Sequence, residues 1–512
     1  MFKGHPKGLI PASLANMGER FGFYTMMAIL VLFLQAKFGL NGTSAGYIYS
    51  GFYFSIYILA LAGGIIADKL RNYKGTILTG LILMGGGYLI LAIPTPTPVS
   101  SVPVYLTISI VGLFIIAFGN GLFKGNLQAL VGQMYDNPQY REKRDSGFSL
   151  FYMFINVGGI FAPLVAPGIR KWWLEKHGFF YDATLPEQCH TYLAGTMTNE
   201  NIAKFQSSAE AASTSGTIEN LQAFSNSYLN VFNEGFHYAF GIAIVAMLIS
   251  TAIFIARKKT FPNPAGSKED VKENGKAEAP VIDMDPKEIK QRIYALLAVF
   301  AVVIFFWFSF HQNGLTLTMF GKDYTRLSLF GWDFAVEIFQ SANPFFVVFL
   351  TPIVVAIFGW LNARGKEPST PKKIAIGMFI AALGFVVMTL GSFGLPLFNE
   401  ISSSLGGTPL AEADKVGPMM LILTYFILTV AELFISPMGI SFVSKVAPPH
   451  LQGIMQGGWL GATAFGNGLL FIGAILYEHI PIWMTWAVFV TACVISMFTI
   501  IFMLKWLERV AK

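Results

Sequence analysis

Charge is what this chain has least of. Asp, Glu, Lys and Arg make up 12% of its 512 residues, about half the ~25% of ordinary soluble domains. So little charge excludes a soluble enzyme, a disordered scaffold and a collagen-like chain. Cysteine is scarce too. Cys189 lies in a polar stretch and Cys493 in an apolar one, so neither a disulfide framework nor a bridge between them is expected. The signatures His-Glu-x-x-His, Gly-x-Gly-Asp and Gly-x-Ser-x-Gly are missing. An enzyme is therefore not expected, and nothing implies a metal or another cofactor. A cleavable signal peptide is also lacking: the first apolar stretch contains Glu19 and Arg20, which a signal core would not. The first helix is expected to act as its own insertion signal.

What the chain has is apolar surface. Hydrophobic residues are 54% of it, with 48 Phe, and the mean hydropathy is +0.56. A membrane-crossing helix needs about 20 mostly apolar residues. Twelve such runs lie at roughly 10–36, 44–68, 75–94, 103–133, 146–170, 235–256, 291–320, 330–361, 374–396, 416–445, 452–477 and 482–506. The net charge of +6 is then a property of cytoplasmic loops and not of a nucleic-acid patch. Basic residues concentrate after span 2 (Lys69, Arg71, Lys74), after span 4 (Arg141, Lys143, Arg144), after span 6 (Arg257, Lys258, Lys259), after span 8 (Arg364, Lys366, Lys372, Lys373) and at the C-terminus. Both termini are therefore expected in the cytoplasm, in a multi-pass protein of the cell membrane.

Two polar segments divide the chain. Residues 171–234 contain no spanning run and read as a mobile extracytoplasmic insert in an N-terminal six-helix unit, 1–256. Residues 257–290, rich in Lys, Glu and Pro, read as a cytoplasmic linker to a second six-helix unit, 291–512. Gly64-Ile65-Ile66-Ala67-Asp68-Lys69 after span 2 is echoed by Gly359-Trp360-Leu361-Asn362-Ala363-Arg364 after span 8. The first element resembles a loop motif of the major facilitator superfamily. The expected fold is all-α: twelve transmembrane helices in two six-helix bundles, with substrate bound at midplane between them.

A charge at a helix centre costs about 2.5–3.5 kcal/mol on insertion scales, so each one is a functional candidate. Glu19 and Arg20 fall in span 1, Lys124 in span 4 and Glu432 in span 10, and His311 in span 7 adds a titratable ring. Asn16, Arg20 and Tyr24 recur at helical spacing, with Met27 close to the same face, while Glu19 is turned about 100° from Arg20 toward another helix. Gln312 follows His311, and Asn343 precedes Pro344, which with Pro437 is expected to kink its helix. The N-terminal half thus contributes cations and the C-terminal half a carboxylate, a polarity that suits a zwitterion such as a small peptide.

Six blocks carry a more specific resemblance. They are Glu19-Arg20-Phe21-Gly22-Phe23-Tyr24, Gly119-Asn120-Gly121-Leu122-Phe123-Lys124, Phe151-Tyr152-Met153-Phe154-Ile155-Asn156-Val157-Gly158, Asn343-Pro344 with Pro352, Glu432-Leu433-Phe434-Ile435-Ser436-Pro437-Met438-Gly439, and Gly453-Ile454-Met455-Gln456-Gly457-Gly458-Trp459. The chain resembles the proton-dependent oligopeptide transporter family across nearly all twelve spans. The resemblance implies import of di- and tripeptides by alternating access, driven by proton symport. It implies that Arg20 and Lys124 hold the peptide carboxylate and Glu432 the amine, with Glu19 near Lys124. Asn16, Tyr24, Met27, Tyr57, Asn156, Gln312, Asn343 and Trp459 would line the cavity. Asp68, Arg71 and Lys74 would stabilise a cytoplasmic gate.

Three positions depart from the family pattern. Asn16 stands where the first Glu of the span 1 motif is expected, Met27 where a second Arg is expected, and His311 where an acid is expected. An unperturbed imidazole titrates near ~6.5, where an acid exterior could load it, so His311, Glu432 and Glu19 are the candidate proton carriers. The same departures leave two alternatives open: a relative with altered substrate or weakened coupling, and a nutrient sensor on a transporter fold. The expected partners are small peptides, protons and the lipid bilayer, with no nucleic acid.

Overall fold

The computed structural model describes residues 4–70, 72–135, 137–140, 143–262, 285–448 and 451–511. The expected linker, 257–290, falls largely outside them. Twelve helices are long and apolar enough to cross a membrane. Spans 1 to 6 are Leu9–Phe38, Gly42–Leu70, Tyr73–Ala92, Val102–Met134, Gly147–Lys176 and Leu221–Ala256. Spans 7 to 12 are Pro286–Tyr324, Val336–Asn362, Thr370–Gly391, Met419–Val446, Ile454–His479 and Ile482–Val510. The first six pack among themselves, chiefly span 3 on 4, 2 on 4 and 1 on 6, and so do the last six, chiefly span 9 on 10 and 12 and span 7 on 11. The protein is a multi-pass membrane protein of two six-helix bundles.

Between helices in lipid no hydrophobic drive exists, so close packing must supply the attraction, and small residues permit it. At the crossing of spans 2 and 4 a methyl on Gly63 would lie 2.1 Å from the Gly121 carbonyl oxygen. Only glycine lets these backbones meet. Span 1 is buried on nearly every side, against spans 5, 6, 2 and 4. That central place keeps its Glu19 and Arg20 away from lipid.

Three spans are broken. Span 7 is helical to Phe310, passes through a 3₁₀ turn at His311–Gly314, and resumes at Thr316–Tyr324. Span 8 opens with a 3₁₀ segment, Val336–Ser341, before its helix Ala342–Asn362. Span 11 divides between Gly468 and Phe471. A 3₁₀ stretch inside a long helix commonly marks a hinge. Pro344 does not kink span 8, contrary to the sequence expectation. It sits in the first turn of Ala342–Asn362, where its missing N–H breaks no helical bond. Pro437 does lie inside its helix, Met419–Val446.

The insert is not a mobile loop. The helices of spans 5 and 6 extend into 171–234 from either side. The stretch between them folds into two short helices, Leu185–Leu193 and Asn199–Ala211. Leu185, Cys189, Phe205 and Ala209 are buried, and Phe205 packs against Tyr192 and Phe224. Between spans 7 and 8 a two-stranded hairpin pairs Ser328–Leu329 with Trp332–Asp333.

Candidate substrate-binding site and outer closure

Span 1 delivers a tight acid–base pair. Arg20 Nε lies 2.5 Å from Glu19 Oε2 and its Nη2 lies 2.5 Å from Oε1. Asn120 Nδ2 of span 4 donates to Glu19 Oε1 at 2.7 Å. Glu19 thus reaches span 4, as the 100° offset suggests, and its side chain is also long enough to fold back onto its neighbour Arg20. The Arg20 guanidinium also lies 4.6 Å over the Phe23 ring. Lys124 stands apart. Its ammonium lies 4.6 Å over the ring of Tyr57, and among the described residues it forms no ion pair. With Glu19 and Arg20 neutralising each other, Lys124 is left without an ion-pair partner among the described residues.

The C-terminal half presents Glu432. Its Oε2 accepts from Asn343 Nδ2 at 2.8 Å, and the same amide lies 3.0 Å from Thr429 Oγ1. Tyr24 and Tyr57 of the N-terminal half each lie within electrostatic reach of both Arg20 and Glu432. His311 occupies the break in span 7. Its Nδ1 lies 2.5 Å from Asn467 Oδ1, which fixes the ring hydrogen on Nδ1. The ring stacks on Trp307 at 4.9 Å and faces Tyr53 at 4.7 Å.

Sequence reasoning missed Tyr53 and Asn467. A signal existed for the first: Tyr49, Tyr53 and Tyr57 recur every fourth residue along one face of span 2. Two of the expected cavity residues are closely packed. Gln312 is wholly buried, donates to the carbonyls of Phe308 and Leu470, and accepts from Thr316 at 2.5 Å. Its amide is thereby committed inside the C-terminal half. The Trp459 ring, 4% exposed, packs against Gly439 and Phe300. Asn156 is half-buried and donates to Tyr152 O at 3.1 Å within its own helix. Asn16 and Met27 are buried on span 1. Of the expected gate, Asp68 accepts from the Tyr73 hydroxyl across the turn between spans 2 and 3, Lys74 begins span 3, and Arg71 lies outside the described residues.

The two halves meet at their extracytoplasmic ends. Gly159 and Ile160 of span 5 touch the head of span 8: a methyl on Gly159 would lie 3.1 Å from Pro344, and Ser341 Oγ donates to Ile160 O at 3.0 Å. Further out, Arg170 of span 5 pairs with Glu337. On the opposite side, Glu478 at the end of span 11 accepts from Gly42 N at 2.6 Å and Thr43 N at 3.2 Å, capping the start of span 2. The insert adds a third contact. Glu187 accepts from Ser402 Oγ at 2.6 Å and Ser404 N at 3.0 Å, and lies 3.8 Å from Lys322 Nζ. Asn201 Nδ2 donates to the carbonyls of Gly406 and Gly407, and its Oδ1 accepts from Thr408. Burial would raise the Glu187 pKa, but the Lys322 ammonium and the two serine donors outweigh it and hold the carboxyl below its usual value.

Twelve spans in two bundles around one polar cleft are the arrangement of a major facilitator carrier. The profile of the POT family matches residues 74–281 and 271–483, and the chain belongs to that family. It is similar to a peptide transporter, YePEPT, of Yersinia enterocolitica, 28% identical over 91% of this chain and 87% of that one. It is also similar to a di-/tripeptide transporter of Lactococcus lactis subsp. cremoris, 27% identical over 91% and 89%. An uncharacterized transporter, YclF, of Bacillus subtilis is 27% identical over 94% and 90%. In fold it matches a crystal structure of a POT family transporter in complex with a thioalcohol conjugated peptide, with a TM-score of 0.73, 21% identity, and coverage of 99% and 98%.

Proposed function

We propose that this protein imports di- and tripeptides by alternating access, driven by proton symport. One observation carries the reading: a cation without an ion-pair partner, Lys124, on one half, over the ring of Tyr57, and a carboxylate, Glu432, oriented by Asn343 on the other. A peptide carboxylate placed at Lys124 gives that ammonium a partner, with Arg20 behind it. The peptide amine then meets Glu432, which Asn343 orients. Extended residues rise about 3.3–3.6 Å each, so two or three of them bridge a midplane cleft while a longer chain does not. Closed outer contacts leave such a cleft to discharge toward the cytoplasm. Protons moving inward supply about 2.3 kcal/mol per 100 mV, with Glu432 and His311 as the carriers nearest the substrate and Glu19 held by Arg20. Asp68, Lys74 and Arg71 would steady the cytoplasmic gate, and 257–290 would link the two units.

A labelled dialanine tests this in proteoliposomes. Counterflow together with accumulation under an inward proton gradient is the expected result. No exchange across a broad panel of peptides would sink the peptide assignment. Counterflow without accumulation would instead favour the reading of weakened coupling, which Asn16, Met27 and the Asn467-bound His311 motivate.

A further inference from the structure

Along the lipid-facing seam between spans 1 and 6 runs a continuous groove. Lys7, Ile10, Pro11 and Leu14 line its cytoplasmic end with Ile253, Ala256, Arg257 and Thr260, around a cavity of about 560 Å³. A second cavity of about 600 Å³ shares Leu14 and Ile253 with the first and continues inward between spans 1, 5 and 6. Met17, Phe21, Phe161, Val245 and Ile249 wall it, and its lining is free of charged side chains. The spacing explains the groove: residues 10, 14, 17 and 21 share one face of span 1, with Lys7 just before its start, and 245, 249 and 253 share one face of span 6, with Arg257 as its C-cap.

The two ends differ in charge. Lys7 and Arg257 are the charged residues of the mouth, with no acid beside them in the lining. Both are exposed, and among the described residues neither forms an ion pair. Loop charge places this mouth at the cytoplasmic surface. From Leu9 to Phe21 the helix rises about 18 Å at ~1.5 Å per residue. That exceeds the ~15 Å from headgroup boundary to bilayer midplane. A cationic mouth above a dry channel of this length fits one molecule.

We propose that the groove is a binding site for an anionic phospholipid of the cytoplasmic leaflet. Lys7 and Arg257 hold the headgroup phosphate, and an acyl chain lies along Leu14, Met17 and Phe21. An ordinary boundary lipid would show no headgroup preference. Here a headgroup that carries its own amine loses the advantage, because the amine meets the same two cations.

The test uses the full chain, purified and delipidated in mild detergent. Phosphatidylglycerol and phosphatidylcholine with identical acyl chains are titrated in turn. Bound lipid is read by native mass spectrometry and thermal stability in parallel. Tight retention of about one phosphatidylglycerol is expected, with a raised Tm that phosphatidylcholine does not produce. The double variant Lys7→Ala with Arg257→Ala is expected to weaken phosphatidylglycerol about ten- to thirtyfold, since each cation near a lipid surface contributes comparably. Lys258→Ala with Lys259→Ala removes the same charge outside the groove and is expected to change affinity less than about twofold. Leu14→Trp keeps the charges and fills the channel, and is expected to lose the retained lipid. Equal retention of the two lipids overturns the proposal. So does unchanged phosphatidylglycerol binding in the Lys7/Arg257 or the Leu14→Trp variant.

Discussion

Arg170 of span 5 and Glu337 at the head of span 8 form an ion pair shut away from water that joins the two halves. The Arg170 guanidinium lies 3.7 Å over Phe236, 4.7 Å over Phe232 and 5.4 Å over Tyr181. Aromatic faces thus take up the nitrogens that find no hydrogen-bond acceptor. Removing one member of a buried pair typically costs about 3–5 kcal/mol, because the other charge is left without a partner. That cost falls on the outer-closed form, since opening readmits water. Glu337→Gln and Arg170→Gln are each expected to shift the protein toward the outer-open form. Spin labels at positions 172 and 330, exposed on opposite halves, would read it as a lengthened distance. The exchanged pair Arg170→Glu with Glu337→Arg is expected to shorten it again.

The insert is expected to behave as part of the closure. Asn201→Ala removes two donated bonds and one accepted bond to 406–408, worth about 1–2 kcal/mol net after solvation. Hydrogen exchange is expected to quicken together in 199–211 and 398–408, which lie on different halves, while the spans between them stay protected. Faster exchange in 199–211 alone would mean that the insert does not clasp its counterpart.

Acid is expected to loosen the insert from span 1 of its own half. His190, in the helix Leu185–Leu193, is pushed below the usual histidine pKa by burial, against the opposing bond to the Ala36 carbonyl. Its neutral form therefore suits the docked state. The stabilisation is full above the unfolded value of ~6.5 and is lost as pH falls through the lower docked value. Glu187, also held below its usual range, acts in the same direction at more acid pH. Exchange of 185–193 should accelerate between neutral and mildly acid pH, and His190→Gln should flatten that dependence above the carboxylate range.

His311 separates coupling from binding. If it carries the proton, His311→Gln retains counterflow of a labelled dipeptide, while its accumulation ratio under a proton gradient falls toward one. Asn467→Leu removes the acceptor that fixes Nδ1 and is expected to shift the pH profile of uptake and keep the counterflow. Gradient-driven accumulation that survives both His311→Gln and His311→Ala would end the proton role.

The spans were legible because hydropathy over about 20 residues is a strong signal, and each of the twelve runs contains a spanning helix, although the start of the eighth, at 330–333, belongs to the hairpin. The short count of intramembrane charges was not. It took helix centres only, and so passed over Arg170, Lys322, Asp323 and Glu337, buried in the outer ends of spans 5, 7 and 8. Lys37 was passed over for the same reason: it donates to Thr95 O at 2.5 Å and lies 3.1 Å from His237, joining spans 1 and 6. The fold of the insert could not be read, since its helices are short and the bonds that hold Asn201 come from residues some two hundred positions away. Gln312 looked like a site residue because a buried amide beside His311 is polar, and sequence cannot show that its hydrogen bonds are already filled.

The His311–Asn467 bond joins the break in span 7 to the end of the lower segment of span 11. Beyond it, Thr316–Tyr324 and Phe471–His479 are tied by Tyr477, which donates to Asp323 at 2.9 Å. The outer segments of the two helices are therefore tied to each other beyond both breaks. Were the two breaks to bend together, these segments would move as a pair over a loaded peptide, sealing it from outside before the inner ends part.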